Sequence, residues 1–214
     1  MPPFHPRPED LPDEFAVFPL TGALLLPRGK LPLNIFEPRY LAMVQDSLAA
    51  GRMFGMIQPD PQGGLYRVGC LGRLSSFSET DDGRLLITLT GVVRFSFATE
   101  LEVRKGYRRV RGDFSQYWGD LATDRPPADI QRDKILTALR VYFGHRGVEA
   151  NWDAIRGLPD DALIVTLALA CPFEPAEKQA LLEAPDDADR AATLLALLEM
   201  GATGPDRPSG YPVS

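Results

Sequence analysis

The sequence has few of the residues on which metal, redox and nucleophilic chemistry depend. Its 214 residues include two cysteines, Cys70 and Cys171, and two histidines, His5 and His145. The cysteines stand in apolar runs without CxxC spacing, which predicts two buried, reduced thiols. His5 lies in a proline-rich lead-in, so a catalytic or metal site would depend on His145 alone. We therefore expect no catalytic residue, no metal and no cofactor, and hence a protein that is not an enzyme.

Motifs of common enzymes and of membrane proteins are also missing. The sequence has no glycine-rich phosphate-binding loop with its lysine, no GxSxG and no HExxH. The best candidate for a membrane span, Ala162–Cys171, is shorter than the ~18 residues that a span requires. The amino terminus lacks the apolar segment of a secretory signal. These features predict a cytoplasmic protein without a membrane partner.

The charge is acidic and unevenly distributed. The chain has 23 basic and 29 acidic side chains, which gives a net charge of −6. Residues 1–118 contribute +1 and residues 119–214 contribute −7, which indicates two regions. Because binding to phosphates requires clustered Lys and Arg, nucleic acid is not expected as a partner of the whole chain.

The apolar pattern changes from strands to helices along the chain. Extended, glycine-punctuated segments around one helix occupy residues 15–118 and predict a small, partly closed β-barrel. A helical period follows, interrupted by Pro and Gly, and predicts a small α-helical bundle at 119–201. The predicted fold class is therefore α+β. Flexible segments are expected at 1–14 and 202–214, which are rich in proline.

Two glycines are predicted to shape the longest strands. Thr80–Gly83 has the composition of a hairpin turn. Gly91, in the middle of the strand-like segment 84–97, predicts a bulge or a bend. Residues 99–114 are expected to form either a further strand pair or one long bent strand.

A basic cluster is the first candidate site. Five cations fall within eight positions with a tyrosine among them: Arg104, Lys105, Tyr107, Arg108, Arg109 and Arg111. One interpretation is a strip that binds nucleic acid, and the other is a solvated edge strand whose charge prevents edge-to-edge pairing. Strand alternation would place Arg104 and Arg108 on one side and the other cations on the opposite side. The acidic chain favours the edge-strand interpretation.

An apolar loop is the second candidate site. Leu24, Leu25 and Leu26 are close in sequence to Phe36 and Tyr40. If exposed, these side chains would form a hydrophobic surface that binds polypeptide. The alternative is that the loop belongs to the core, and the sequence leaves both interpretations open.

The junction between the second strand and the first helix carries a charged pair. Glu37 and Arg39 flank Pro38, which can occupy the first position of a helix at 38–50. We interpret the pair as structural, fixing the junction by capping and ion pairing rather than by binding a ligand.

Several segments resemble a known family when they are taken in order. They are FPL at 18–20, Pro27, LPLNIFEPRY at 31–40, FGMIQP at 54–59, YRVGCLGRL at 66–74 and DGRLLITLTGVVRF at 82–95. This series resembles the amino-terminal, substrate-binding domain of the Lon ATP-dependent proteases. PFEPAEKQALLEAPD at 172–186, followed by Arg190 and a leucine-rich helix, resembles the helical part of stand-alone proteins that contain this domain.

The resemblance implies a fold and a role. The fold would be a β-barrel of the pseudouridine-synthase-and-archaeosine-transglycosylase (PUA-like) type, followed by a helical bundle. The role would be the selection of unfolded or tagged polypeptides, as an adaptor or chaperone-like protein beside a protease or chaperone machine. The ATPase module and the protease module with its Ser–Lys dyad are expected to be absent, so the resemblance does not imply proteolysis.

Three functions remain open at this point. The leading hypothesis is a non-enzymatic module that binds extended, apolar polypeptide in the cleft between barrel and bundle, or along an open barrel edge. The second is an RNA-binding module that uses residues 104–111, since PUA-like folds often bind RNA. The third is a small-molecule-binding or enzymatic site in the same cleft.

Overall fold

Two parts of the chain form separate units. A computed structural model describes residues 6–122 and 130–203. Its contacts divide the chain into one unit at Met1–Arg125 and another at Pro126–Ser214. The first unit holds the strands and the second holds helices, so the α+β class predicted from the sequence is confirmed.

The first unit is a six-stranded sheet with one helix. Its elements in chain order are β1 (Glu14–Pro19), β2 (Lys30–Ile35), α1 (Pro38–Ala49), β3 (Met53–Ile57), β4 (Val68–Glu79), β5 (Leu85–Arg104) and β6 (Tyr107–Asp113). A 3₁₀ turn at Trp118–Leu121 follows the last strand. The segment 99–114 is thus the end of β5 and all of β6, joined by a turn at Lys105 and Gly106 with φ values of 48° and 86°.

Five of the six strands are paired in a circuit that begins and ends at β5. The order is β2-β5-β4-β3-β1-β6, and β6 also pairs with β5. β1 and β3 are parallel, and the other neighbours are antiparallel. The length of β5, 20 residues, permits this circuit, because its first part pairs with β2 and its last part pairs with β6. β2 is attached outside the circuit, along the first part of β5.

Gly91 lies where a loop crosses β5. A Cβ atom at this position would lie 2.0 Å from the carbonyl oxygen of Leu26, so a side chain would displace the loop. The backbone N–H of Arg28 donates to the carbonyl oxygen of Gly91 at 2.8 Å and fixes the crossing. The register between β4 and β5 shifts opposite this point, between Leu71 and Gly72. The bulge predicted at Gly91 is confirmed.

Aromatic rings from several strands form the core of the first unit. Phe15 meets Phe95 edge to face at 4.9 Å between ring centroids and stacks on Phe114 at 5.9 Å. Such pairs add to the stability gained from apolar burial. Leu11 packs against the same cluster, and Pro8–Asp10 forms a 3₁₀ turn. This part of the expected flexible segment 1–14 therefore has a defined structure, and residues 1–5 lie outside the described residues.

The second unit contains five helices in its described part. They are α2 (Arg132–Arg146), α3 (Trp152–Gly157), α4 (Asp160–Ala170), α5 (Pro175–Glu183) and α6 (Asp187–Thr203). α2 ends at Gly147, whose φ of 62° is the left-handed conformation that glycine adopts readily at helix ends. The carboxylate of Asp186 accepts a hydrogen bond from the N–H of Asp189 at 2.9 Å and thereby caps α6.

α6 extends into the segment that the sequence predicts to be flexible. It includes 201–203, of which 202 and 203 were expected in the flexible tail, and residues 204–214 lie outside the described residues. The side chain of Arg190, 2% exposed, donates to the carbonyl oxygen of Leu181 at 2.9 Å and fixes the turn between α5 and α6. In the described residues, no helix is both long enough and apolar enough to cross a membrane.

Candidate functional site

The apolar loop does not form a surface. Leu24, Leu25 and Leu26 are 3%, 1% and 0% exposed. They are buried because the loop crosses β5 at Gly91 and turns its side chains into the core. The expectation that these leucines bind polypeptide is corrected. They belong to the core, which was the alternative interpretation.

The two aromatic candidates have different environments. Tyr40 is buried, with its ring 4.2 Å from the ring of Phe18 and beneath the guanidinium of Arg39 at 4.5 Å. Tyr40 is therefore a core residue of α1 and is corrected as a binding candidate. Phe36, which directly follows β2, is 61% exposed. Of the five residues proposed for polypeptide binding, only Phe36 is on the surface.

The charged pair at the start of α1 forms the expected ion pair. Arg39 Nη2 lies 2.8 Å from the carboxylate of Glu37. Glu37 is the residue before the helix, but its side chain forms no capping hydrogen bond. Its backbone carbonyl instead accepts from the N–H groups of Tyr40 and Leu41, both at 2.9 Å. The ion pair is confirmed and side-chain capping is corrected, because the carboxylate turns to Arg39.

The cations of the basic cluster all meet carboxylates. Arg104 and Lys105 bind Asp46 of α1 at 3.5 and 2.7 Å. Arg108 binds Glu100, with Nε 2.9 Å from the carboxylate. Arg109 and Arg111 share Glu14 of β1 at 3.2 and 2.7 Å. Lys105 thus lies with Arg104 rather than with Arg109 and Arg111, because the hairpin turn at 105–106 ends the alternation.

The tyrosine of the cluster is not available for stacking. Tyr107 is 3% exposed, and its hydroxyl donates to Asp46 at 2.7 Å. Hydrogen bonds from Lys105 and then Tyr107 hold the pKa of Asp46 below its usual range. Burial, together with the bond to Asp46, raises the pKa of Tyr107. Asp46 thus joins α1 to the β5–β6 hairpin in a structural network.

The electrostatics of the cluster disfavour phosphate binding. Its five cations face three carboxylates, those of Asp46, Glu100 and Glu14. Hydrogen bonding from Arg111 holds the pKa of Glu14 below its usual range, so this partner stays ionised at neutral pH. Each phosphate would have to displace a carboxylate already bound. These contacts disfavour the nucleic-acid interpretation. The edge-strand interpretation is corrected as well, because Arg108, Arg109 and Arg111 lie on β6, which pairs with β1 on one side and with β5 on the other.

Three large apolar side chains are exposed at one end of the sheet, where β2, β5 and β4 run side by side. Phe36, Phe77 and Leu86 are 61%, 56% and 48% exposed. Leu86 is paired with Ser78 of β4 and therefore projects from the face opposite to that of Phe77, and Phe36 follows the end of β2. We call these three residues the apolar end of the sheet. Only Phe36 was a candidate from the sequence; for Phe77, the serines on both sides were a signal of an exposed position.

The backbone edge of β4 is free at this end. β4 pairs with β3 only as far as Arg73, and in the described chain no strand pairs with the other edge of residues 75–79. The N–H of Thr80 donates to Arg84 at 3.0 Å, so Thr80 directs its backbone towards β5. Because direction alternates along a strand, Ser78 also faces β5, whereas Phe77 and Glu79 direct N–H and C=O groups outwards.

The other edge of this part of the sheet belongs to β2. β2 pairs only with β5 among the described strands. Backbone N–H and C=O groups alternate in direction along β5. Leu33 therefore directs its backbone groups towards β5, whereas Lys30, Pro32 and Asn34 direct theirs outwards. Pro32 has no N–H. Because its backbone faces outwards, the pairing with β5 loses no hydrogen bond.

No catalytic arrangement emerges from the described residues. Residues 6–122 and 130–203 contain no group of three or more His, Cys, Asp and Glu side chains that could hold a metal ion. Cys171 is buried, and burial raises the pKa of its thiol to about 12, which is unfavourable for a nucleophile. The exposed features described at this end of the sheet are three apolar side chains and two open backbone edges.

Comparison with known proteins identifies the family. Residues 14–200 match the family model of the ATP-dependent protease La (LON) substrate-binding domain. The chain belongs to this family. The match includes both the strands of the first unit and nearly all of the helical unit, so the resemblance recognised in the sequence is confirmed over almost the whole chain.

The relatives that this chain matches are longer proteins. Lon protease 1 of Herpetosiphon aurantiacus is 24% identical over 111 residues, which are 48% of this chain and 14% of the relative. Lon protease of Anaeromyxobacter dehalogenans is 25% identical over 117 residues, or 51% of this chain and 14% of the relative. The match therefore spans about one seventh of the length of these curated relatives.

Solved structures share the fold. A Lon N-terminal domain protein from Xanthomonas campestris superposes with a TM-score of 0.64 at 22% identity. The N-terminal domain of a Lon protease from the Mycobacterium avium complex superposes with a TM-score of 0.61 at 16% identity. Each match covers 86% of this chain and 97% of the other. At these identities the likeness establishes the fold.

Proposed function

We propose that this protein is a polypeptide-binding module that engages unfolded or extended segments and does not catalyse a reaction. The observation that carries the proposal is the match of residues 14–200 to a family described as substrate-binding domains of an ATP-dependent protease. In such a protease the substrate is polypeptide, and recognition by this domain is separate from the modules that hydrolyse ATP and peptide bonds. A protease or chaperone machine would act on what the module binds.

Exposed aromatic side chains at the apolar end of the sheet support this proposal physically. Phe36 and Phe77 keep more than half of their surface in contact with water, and Phe77 borders the free edge of β4. Burying an aromatic or leucine side chain is worth ~1.5–3 kcal/mol, before the cost of ordering the ligand. An unfolded segment exposes apolar side chains that a folded protein buries, so such a surface distinguishes unfolded from folded chains.

RNA binding has no comparable support. The cations of the 104–111 cluster are engaged with Asp46, Glu100 and Glu14, and the ring of Tyr107 is buried. Binding of RNA remains an outcome that the same experiment detects, because contacts to phosphate weaken steeply with salt whereas apolar contacts do not.

The test is a titration of the protein with one fluorescently labelled model protein in two states. A reduced and carboxymethylated form is permanently unfolded, and the native form serves as the control. We expect weak binding to the unfolded form with little dependence on salt, no binding to the native form, and no hydrolysis of casein or ATP. Equal binding to both forms, or binding to neither, would contradict the proposal. Salt-sensitive binding of single-stranded RNA that Arg108→Glu/Arg109→Glu abolishes would replace it.

A further inference from the structure

The two free edges beside the apolar end of the sheet are not equivalent. The outward-facing positions of β2 are Lys30, Pro32 and Asn34. Lysine and proline are the residues with which natural sheets protect an edge against the addition of another strand. Pro32 also removes the central N–H donor that an added strand would need. The edge of β2 is therefore closed to strand addition by its own sequence.

The edge of β4 carries no such protection. Residues 75–79 read Ser-Ser-Phe-Ser-Glu, and all five are exposed. None of them is lysine or proline, and the serines are small enough to let another backbone approach. Phe77 and Glu79 direct their N–H and C=O groups outwards, at the spacing that an antiparallel neighbour satisfies. Only an extended backbone can satisfy alternating donors and acceptors of this kind.

The side chains at this edge define the chemistry of the ligand. Phe77 and Glu79 are two residues apart on one strand and therefore project from the same face. Cross-strand pairs of aromatic with β-branched side chains, and of opposite charges, are favourable. In an antiparallel ligand the residue opposite Glu79 precedes the residue opposite Phe77 by two positions. The complementary segment has a basic residue, any residue, and then a β-branched or aromatic residue.

We propose that residues 75–79 of β4 form a docking edge to which an extended polypeptide adds as an antiparallel strand, with Phe77 as its apolar anchor and Glu79 as its charge contact. This inference rests on the proposed function and assigns its site. It predicts a preference for extended segments in which a basic residue is followed, two positions later, by a β-branched or aromatic residue, rather than for apolar sequences in general.

The first test measures amide hydrogen exchange of the full chain by NMR, with and without the peptide acetyl-Thr-Lys-Thr-Val-Thr-Thr-amide. In the free protein we expect rapid exchange at Phe77 and Glu79 and slow exchange at Ser78, which bonds β5. At saturating peptide, exchange at Phe77 and Glu79 should slow by about tenfold or more. N-methylation of the peptide's Lys and Val, whose amides face β4, should abolish binding. The matched control, N-methylation of the Thr between them, should leave binding intact.

The second test compares two serine substitutions that remove similar apolar areas. Phe77→Ser should weaken binding of the peptide about tenfold or more, because the ring is its apolar anchor. Leu86→Ser is the control, since Leu86 is 48% exposed but lies on the central strand β5 and projects from the face opposite to that of Phe77. It should change the affinity for the peptide by no more than twofold to threefold, which is the range of a surface substitution. Glu79→Gln should weaken the lysine peptide but not a peptide with Thr in place of Lys.

Each remaining result overturns the inference in a distinguishable way. If the unfolded protein and the peptide bind while Phe77 and Glu79 keep their rapid exchange, the site lies elsewhere and the proposed function stands. If these amides become protected without peptide, as protein concentration rises, the edge pairs with a second copy of the chain. If neither the peptide nor the unfolded protein binds, the inference and the proposed function fail together.

Discussion

The buried ion pair between Arg94 and Asp120 offers the sharpest test of the energetics of the first unit. Arg94, on β5, is 3% exposed, and Asp120, in the 3₁₀ turn after β6, is 5% exposed. Asp120 accepts hydrogen bonds from the backbone N–H, Nε and Nη2 of Arg94 at 3.0, 2.9 and 3.0 Å. Burial alone would lower the pKa of Arg94. The hydrogen bonds that Arg94 donates to Asp120, together with the charge of Asp120, outweigh burial and raise the pKa of Arg94. The guanidinium therefore stays charged.

The perturbation is Asp120→Asn, which keeps the shape of the side chain and removes its charge. The guanidinium of Arg94 would remain buried and lose the counter-charge of Asp120, and breaking a buried ion pair in this way typically costs ~3–5 kcal/mol. For a chain of this length each kcal/mol lowers the melting temperature by ~2–4 °C, so a decrease of roughly 10 °C is expected. The double substitution Arg94→Met/Asp120→Leu should recover most of this loss, because it leaves no unpaired charge in the core.

The assay is equilibrium unfolding in urea, followed by tryptophan fluorescence. The chain has two tryptophans, and Trp118 lies in the same 3₁₀ turn as Asp120. In a Trp152→Phe background the signal reports on the first unit. The matched control in the same unit is Glu9→Gln, which removes an ion pair to Arg7; the Glu9 side chain is 60% exposed, and the cost should stay below ~1 kcal/mol. Equal costs for Asp120→Asn and Glu9→Gln would refute the reasoning.

Two further predictions concern a close contact and the dependence of stability on alkaline pH. Gly91→Ala should destabilise by about 3 kcal/mol in the same assay, since its Cβ would lie 2.0 Å from the Leu26 carbonyl oxygen; Gly119→Ala, with no atom within 4 Å of the new Cβ, is the control. Burial raises the pKa values of Tyr142 and Cys171 to about 12, from 10.0 and 9.0. Because the unfolded chain then releases these protons first, the free energy of unfolding should fall as pH rises from 9 to 12, and Cys171→Ala should reduce this slope. A pH-independent stability over this window, measured by circular dichroism, would contradict the second prediction.

Much of the fold could be predicted because its signals are local. Pro38 starts α1 and Asp186 caps α6, and in each case the relevant contacts lie within four residues. The strand pattern of the first half and the helical period of the second half are also local, since side-chain direction repeats within a few residues. The pairing of β5 with three different strands could not be read in this way, because its partners are distant in sequence.

The candidate sites were harder to predict because exposure is a property of the whole fold. Leu24–Leu26 and Phe77 are all apolar residues near turns, yet the leucines are buried and the phenylalanine is exposed. The difference has two causes. Gly91 lets one loop lie against β5, and β3 begins only at Met53, opposite Arg73, which leaves the edge of β4 beyond Arg73 uncovered. Neither cause adjoins the residues whose exposure it sets.

The sequence by itself determined the order of strands and helices, the charged junction at Glu37 and Arg39, and the family to which the chain belongs. The tertiary structure alone decided that each cation of the basic cluster is paired with a carboxylate. Lys105 and Arg111 meet Asp46 and Glu14, which are 59 and 97 residues away along the chain. Local sequence patterns reach only a few residues, whereas electrostatic partners and free edges depend on which distant segments the fold brings into contact. For that reason the binding site that we propose is an open strand edge rather than the leucine loop.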